Sequence, residues 1–320
     1  MPNRAEDMVI GCGEYRYQLD KNWVKAGDRK LRLKDCHEMV LSSAGLIYML
    51  GNETENNIII FNKDGHITGC WGNEYPGGHG LTLHDENGEE FLYITDTVRN
   101  SVFKTTLNGV VVMEIGYPTN IENYSNAAEF KPTETLVMPN GDIYVTDGYG
   151  HQFVIQYNSK GEYIRHFGGR GTALANLDCA HGIALDNRKV TQNTLLVTSR
   201  NECAFKRFSL DGNYLETINI PGSFVCRPVV HKQNIYAAVF RSGDNQNNAS
   251  GFITILDENN CVVSSPGATH PTYINGSLKK QQQLPNVFVH PHDICLDEDD
   301  NMYVPQWNSN HSYPVKLTRI

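Results

Sequence analysis

One phrase returns along the chain at nearly regular intervals: a polar residue opening a short apolar strand pattern. It reads His37-Glu-Met-Val-Leu, His79-Gly-Leu-Thr-Leu, Thr133-Glu-Thr-Leu-Val, His181-Gly-Ile-Ala-Leu and His292-Asp-Ile-Cys-Leu. Successive starts lie 42, 54, 48 and 111 residues apart. The last gap is about two periods, and Arg227-Pro-Val-Val with Asn234-Ile-Tyr-Ala-Ala supplies a weaker copy inside it. The fullest copy continues from Thr133 through Pro139-Asn-Gly-Asp-Ile-Tyr-Val-Thr-Asp147 and Phe153-Val-Ile-Gln-Tyr157 to Phe167-Gly168. Four short strands per period of roughly 40–50 residues is the pattern of propeller blades. The Asn-Gly and Asp-Gly pairs between them suit tight hairpins.

The repeat therefore predicts an all-β, six-bladed β-propeller occupying 1–320 as one domain. Its blades start near 37, 79, 133, 181, 228 and 292. The last copy is short, with only Val315-Lys-Leu-Thr318 remaining after Val304. Tyr15-Arg-Tyr-Gln-Leu19 is expected to pair with it and close the ring, which removes an open sheet edge.

Composition narrows the partners. With 27 Lys and Arg against 36 Asp and Glu the chain is mildly acidic, which argues against nucleic acid and leaves a small molecule as the expected partner. No apolar run approaches the roughly 20 residues of a membrane-spanning helix, so no membrane is expected. Met1 to Gly13 lacks the apolar core of a signal peptide. The chain as it stands reads as cytoplasmic, or as periplasmic or secreted had a leader been removed. Eight scattered cysteines without a C-x-x-C pair read mostly as buried free thiols. Oligomeric state is left open.

In a propeller the first strand of each blade lines the central channel, so equivalent residues of different blades meet around one axis. His37, His79, Thr133, His181 and His292 share that register. Four imidazoles on one ring predict a metal site, and neutral imidazole suits several divalent transition metals, zinc among them. One residue further on stand Glu38, Glu134 and Asp293. They read either as partners orienting the imidazoles, as oxygen ligands of Ca²⁺, or, for Glu38 and Glu134, as a solvated rim. Loops after the second strands add Asp96, Arg99, Asp147, Tyr149, His151, Arg200, Arg241, Gln306 and Trp307. Together these would form a polar cup over the metal, with a phenol and guanidinium groups for proton transfer and anion binding.

Through His79-Gly-Leu81, Lys131-Pro-Thr-Glu134, Asp147-Gly-Tyr149, His181-Gly-Ile183, Ser199-Arg-Asn-Glu202 and Pro291-His-Asp293, the sequence resembles the NHL-repeat propellers. Within them it resembles the peptidyl-α-hydroxyglycine α-amidating lyase family, from about Cys36 onward. The resemblance implies that His79, His181 and His292 bind zinc. It further implies that Asp293, with main-chain carbonyls near Met39 and Leu81, holds a structural calcium. Tyr149 and Arg200 would then act at the reacting carbinolamide, in cleavage of an N-acyl α-hydroxyglycine to an amide and glyoxylate.

Departures from the family pattern alter that expectation. Leu50 stands near the place of an arginine thought to hold the substrate carboxylate. Gly150 replaces a cysteine whose partner is also missing, so that disulfide is absent. His290 replaces a methionine and joins Tyr149 and Arg200 as a candidate catalytic residue. His37 is an addition, readable as a fourth ligand or a base. Arg241, Trp307, His151 and Glu134 are the candidate substrate contacts.

The leading expectation is a metal-dependent lyase-type enzyme on a small polar hydroxylated substrate, related to the amidating lyases but with altered chemistry. A hydrolase, epimerase or dehydratase of a sugar derivative, and a non-catalytic NHL binding scaffold, remain the alternatives.

Overall fold

A computed structural model describes residues 8–27, 31–189, 192–243 and 250–320. Residues 1–7 of the N-terminal segment considered above lie outside them. The predicted six-bladed propeller is the architecture found. Five blades are four-stranded antiparallel sheets, and the sixth has five strands. Blade one runs Cys36–Leu41, Leu46–Gly51, Ile58–Asn62 and Ile67–Trp71. The inner strands of the next four are Gly78–Glu86, Glu134–Val137, Ala180–Asp186 and Ser223–His231. Blade five thus begins about five residues before the start read from sequence, because Arg227-Pro228 sits in the middle of its strand rather than at its head.

Blade six combines distant parts of the chain. Cys295–Leu296, Met302–Val304 and Val315–Arg319 are followed in the sheet by Tyr15–Asp20 and then Met8–Cys12. Tyr17 pairs with Arg319 and Leu19 with Leu317. The buried Tyr17 and Leu19 pack there with Met302, Val304 and Leu317. The last inner strand starts at Cys295, so His292 and Asp293 lie just ahead of it, with His292 N–H bonded to Pro305 O at 2.9 Å.

Alternation buries the strands between neighbouring blades, and one polar contact recurs at those seams. Trp71 Nε1 of blade one donates to Leu107 O in an outer turn of blade two, at 3.0 Å. Tyr144 Oη of blade three reaches Leu210 O of blade four at 2.8 Å. Arg188 of blade four reaches Asp257 O of blade five at 2.8 Å. Each bolt satisfies a turn carbonyl with a donor from the preceding blade. Where the blades meet at the axis, backbones touch. A Cβ on Gly182 would stand 2.5 Å from Arg227 Cα, and one on Gly80 would stand 2.5 Å from Thr133 O.

The segment 269–289, longer than a turn requires, forms a small hairpin (Tyr273–Ile274 with Ser277–Leu278). It is held to blade five by Gln283, whose Oε1 accepts from Ser242 Oγ and Gly251 N. The cysteines depart from expectation. All eight are free, but only Cys36, Cys226 and Cys295 are buried, whereas Cys70 and Cys261 are exposed on outer positions.

Asp186 ends the inner strand of blade four and receives Arg188 Nη2 at 2.8 Å and Arg207 Nη1 at 2.6 Å. Burial alone would raise its carboxyl. The hydrogen bonds from Arg188 and Arg207 outweigh burial and hold it at about 2. A depressed carboxylate stabilises the fold above the ordinary range near about 4 and loses that contribution as the pH falls toward its folded value. Asp186→Asn is expected to cost about 2–3 kcal/mol at neutral pH. In urea unfolding across pH, the gap from wild type should close between about pH 4 and pH 2.

Candidate metal centre and active site

Aligned on the channel, the six blades contribute His37, His79, Thr133, His181, Cys226 and His292 at one level, and Glu38, Gly80, Glu134, Gly182, Arg227 and Asp293 at the next. The four histidines are buried and their rings crowd together. Centroid separations are 4.8 Å for His37–His79 and His37–His292, 4.7 Å for His79–His181, 4.9 Å for His181–His292 and 5.2 Å for His79–His292. Metal–nitrogen bonds near 2.0–2.1 Å put an imidazole centre roughly 3.2 Å from a shared ion. Rings about 4.5–5.2 Å apart then correspond to octahedral through tetrahedral angles.

The hydrogen bonds fix two tautomers. His79 Nδ1 donates to Thr133 O at 2.8 Å and His292 Nδ1 donates to His37 O at 3.1 Å, which leaves the lone pair of each on Nε2. Tyr149 Oη donates to His79 Nε2 at 3.0 Å. Among the described residues, His181 has no hydrogen-bond partner on either buried ring nitrogen, and His37 Nδ1 has none. Orphaned nitrogens of this kind are costly unless something takes their lone pairs. Burial keeps all four rings neutral, aided by the Arg200 charge: His37 is lowered to about 3, and His79, His181 and His292 fall well below the usual range. Among the described residues, two sets of potential ligand atoms lie mutually within 4.8 Å: His37, His79 and His292, and His181, Cys226 and His292; the expected triad His79, His181 and His292 is split between them.

Above this centre opens a cavity of about 400 Å³. His37, His79 and His292 form its floor, Tyr149 and Arg200 one side, and Phe240 and Trp307 another. Asp35, Asn52 and Thr97 line the side of blades one and two. Arg200 Nη2 contacts Cys226 Sγ at 3.0 Å and Nε donates to Val225 O at 3.3 Å, with the guanidinium 4.7 Å over Phe240. Although 41% of Tyr149 is exposed, the crowding around its hydroxyl pushes the phenol up to about 12, and burial pushes the Cys226 thiol up to about 11, with Arg200 pulling each the other way. Both therefore remain protonated at neutral pH.

Several expected site residues lie elsewhere. His290 is buried between Phe240 and Trp307, at 5.8 and 5.9 Å, with φ +48°, and its ring is outside the cavity lining. Its ring contacts buttress the aromatic wall. Arg241 stacks on Phe224 at 4.4 Å, behind that wall. His151 packs on Tyr124 and approaches Glu129 at 3.6 Å. Asp96 and Asp147 are buried turn braces: Asp96 accepts from Gly77, Val98 and Arg99 N–H, and Asp147 from Lys131 and His151 N–H. Leu50 is core, packed with Leu81 and Ile94, so the nearby polar groups are Asp35 and Asn52.

The calcium implied for Asp293, Met39 and Leu81 does not fit. Arg227 occupies that place: Nε and Nη2 grip Asp293 at 3.0 and 2.7 Å, and Nη1 donates to Leu81 O at 3.1 Å. Met39 presents its N–H, not its carbonyl, to Asp293 Oδ2 at 3.0 Å. Glu134, expected to touch substrate, is fully buried in this cluster beside Glu38. Burial raises both glutamates, with Arg227 opposing, so neither forms a solvated rim. Cys226 and Arg227 were not singled out for the site, although counting the weak fifth copy in the same register would have found both.

Fold and centre together define a six-bladed propeller of NHL-repeat type with a four-histidine cluster in its channel. No protein-family model matches the chain. It is 28% identical over 180 residues to human NHL repeat-containing protein 3, covering 53% of this chain and 51% of that protein. It is 32% identical over 272 residues to peptidyl-α-hydroxyglycine α-amidating lyase 1 of Drosophila melanogaster, covering 76% of this chain and 45% of that one. The chain thus resembles that lyase family, and it spans about half the length of the curated relatives it matches. Among solved structures, a streptogramin B lyase matches at TM-score 0.61 and 13% identity, covering 90% of this chain and 95% of that one. A gluconolactonase from Xanthomonas campestris matches at 0.64 and 12%, covering 96% and 90%. At such identities these two share the fold.

Because its ring leaves two buried nitrogens unsatisfied, at a cost of about 1–3 kcal/mol, His181→Met is expected to unfold in chelator at or slightly above the wild-type temperature. Added zinc should raise the melting temperature of the wild type more than that of the variant. A variant that melts well below wild type in chelator would mean the imidazole is already satisfied.

Proposed function

We propose that this propeller is a metal-dependent, lyase-type enzyme acting on a small polar molecule that bears a hydroxyl beside a carbonyl or heteroatom. The observation that carries the reading is the open cavity floored by neutral imidazoles and flanked by Tyr149 and Arg200, with orphaned nitrogens on His37 in its floor and on His181 beside it. His79, His181 and His292 would hold a transition metal, for which neutral nitrogen donors suit zinc, with His37 as a fourth ligand or a base. Such an ion polarises a substrate oxygen as a Lewis acid.

The protein groups supply the rest. In cleavage the substrate hydroxyl loses its proton to a base as the carbon–heteroatom bond breaks. The bonding pair leaves on the heteroatom and a carbonyl forms. Tyr149, a protonated phenol at neutral pH, can supply the proton that the leaving atom needs. Its hydroxyl is bonded to His79 Nε2 and would be free to face substrate if that lone pair were taken by an ion. Arg200 holds Val225 O and Cys226 Sγ and lies beside Tyr149 in the cavity wall, so its remaining positive charge would stabilise negative charge that develops there. Phe240 and Trp307 give the substrate an apolar wall.

The relatives named as amidating lyases support an enzyme on this propeller more than any one reaction or substrate. The blade-one side of the cavity offers Asp35 and Asn52, which repel a carboxylate or leave it without a cationic partner. A substrate with a neutral or cationic group at that end suits the chain better than an α-hydroxyglycine.

Metal analysis of the purified protein is expected to find close to one equivalent of a transition metal. Less than about 0.2 equivalents, with melting unchanged by chelator, would sink the enzyme reading. In an assay of glyoxylate release from an N-acyl α-hydroxyglycine, little or no turnover is expected. Any turnover that does occur should fall about 100-fold or more in Tyr149→Phe.

A further inference from the structure

Beneath the histidines lies a second level of the channel, and a single guanidinium stands in it. Glu38 of blade one, Glu134 of blade three and Asp293 of blade six are each fully buried, one residue past His37, Thr133 and His292. Such a group of carboxylates with a main-chain carbonyl is a hard-oxygen donor set, of the kind that ordinarily takes a divalent cation. Here the charge comes from Arg227 of blade five. It binds Asp293 through two nitrogens, donates to Leu81 O of blade two at 3.1 Å, and lies 3.6 Å from Glu38 and 3.7 Å from Glu134.

Arg227 can reach this point because blade four has no side chain in the way. Gly182 lets the Arg227 backbone approach to where a Cβ would meet Arg227 Cα at 2.5 Å. The planar fork then contacts groups from four other blades at once, which a lysine ammonium on a shorter hydrogen-bonding span would not do. Breaking such a cluster by removing its cation leaves buried carboxylates uncompensated, which is strongly destabilising.

We infer that Arg227 is a built-in replacement for a structural divalent cation: its guanidinium ties five blades together under the histidine cluster, and the propeller holds its site without calcium. The inference stands apart from the identity of the metal at the imidazoles, which offer calcium no oxygen.

The test is calcium titration calorimetry and thermal unfolding of the full chain, after metal removal, for wild type and Arg227→Gln. Wild type is expected to bind no calcium below about 1 mM and to melt at the same temperature with or without it. Arg227→Gln should melt lower and acquire a site with a Kd of about 10⁻⁵–10⁻³ M. Millimolar calcium should raise its midpoint by about 5 °C. If the variant aggregates, its refolding yield with and without calcium is read in place of melting, and recovery in calcium is the supporting result. Stoichiometric calcium binding by wild type would overturn the inference. So would an Arg227→Gln protein that neither binds calcium nor recovers in it.

Discussion

Six inner strands converging on one axis leave room for about one side chain per blade at each level, and everything at the centre of this protein follows from that crowding. At the upper level four imidazoles share the space, and their burial removes both charge and solvent. At the level below, three carboxylates would repel one another and the fold together, and Arg227 is the counterweight. The two levels are mechanically coupled, because each acid adjoins a residue of the level above. A shift of the guanidinium would be felt at His37 and His292 through a single peptide unit.

The two levels also differ in what they offer. The lower one is walled off from solvent: Arg227 bonds Asp293 and Leu81 O, and Met39 N–H bonds Asp293, while Glu38 Oε1 and Glu134 Oε2 lack a hydrogen-bond partner among the described residues. The upper one is open to a cavity and carries unpaired nitrogens. That asymmetry divides the channel into a structural half and a half suited to chemistry, and Tyr149 and Arg200 stand only beside the second.

The fold was legible in the sequence because a repeat fixes both strand count and register, and register alone placed four histidines on one ring. The loop residues were harder to read. Asp96, Asp147 and His151 have the composition of a polar cup, yet a propeller's tight inner loops consume short acids as braces for their own N–H groups. Sequence cannot distinguish that use from an open one. The positions of His290 and Arg241 were hard to read for a related reason: large side chains near a channel stack on neighbouring aromatic rings as readily as they face solvent. Arg227 was visible only as a member of a weak repeat, and its partners lie on blades 66 and 146 residues away, a distance that no local pattern spans.

The pairing of Tyr15–Asp20 with Val315–Arg319 bears on how the molecule comes into being. Tyr17 and Arg319 are 302 residues apart, so a ribosome delivers one partner long before the other. Until the late strand emerges, blade six has an unfinished edge and the apolar faces of Tyr17 and Leu19 lack their cover. A contact of such high order slows the final step of folding and exposes a strand to foreign pairing while it waits. Once made, the same pairing joins two far-apart segments in one sheet, so the ring cannot open without separating both.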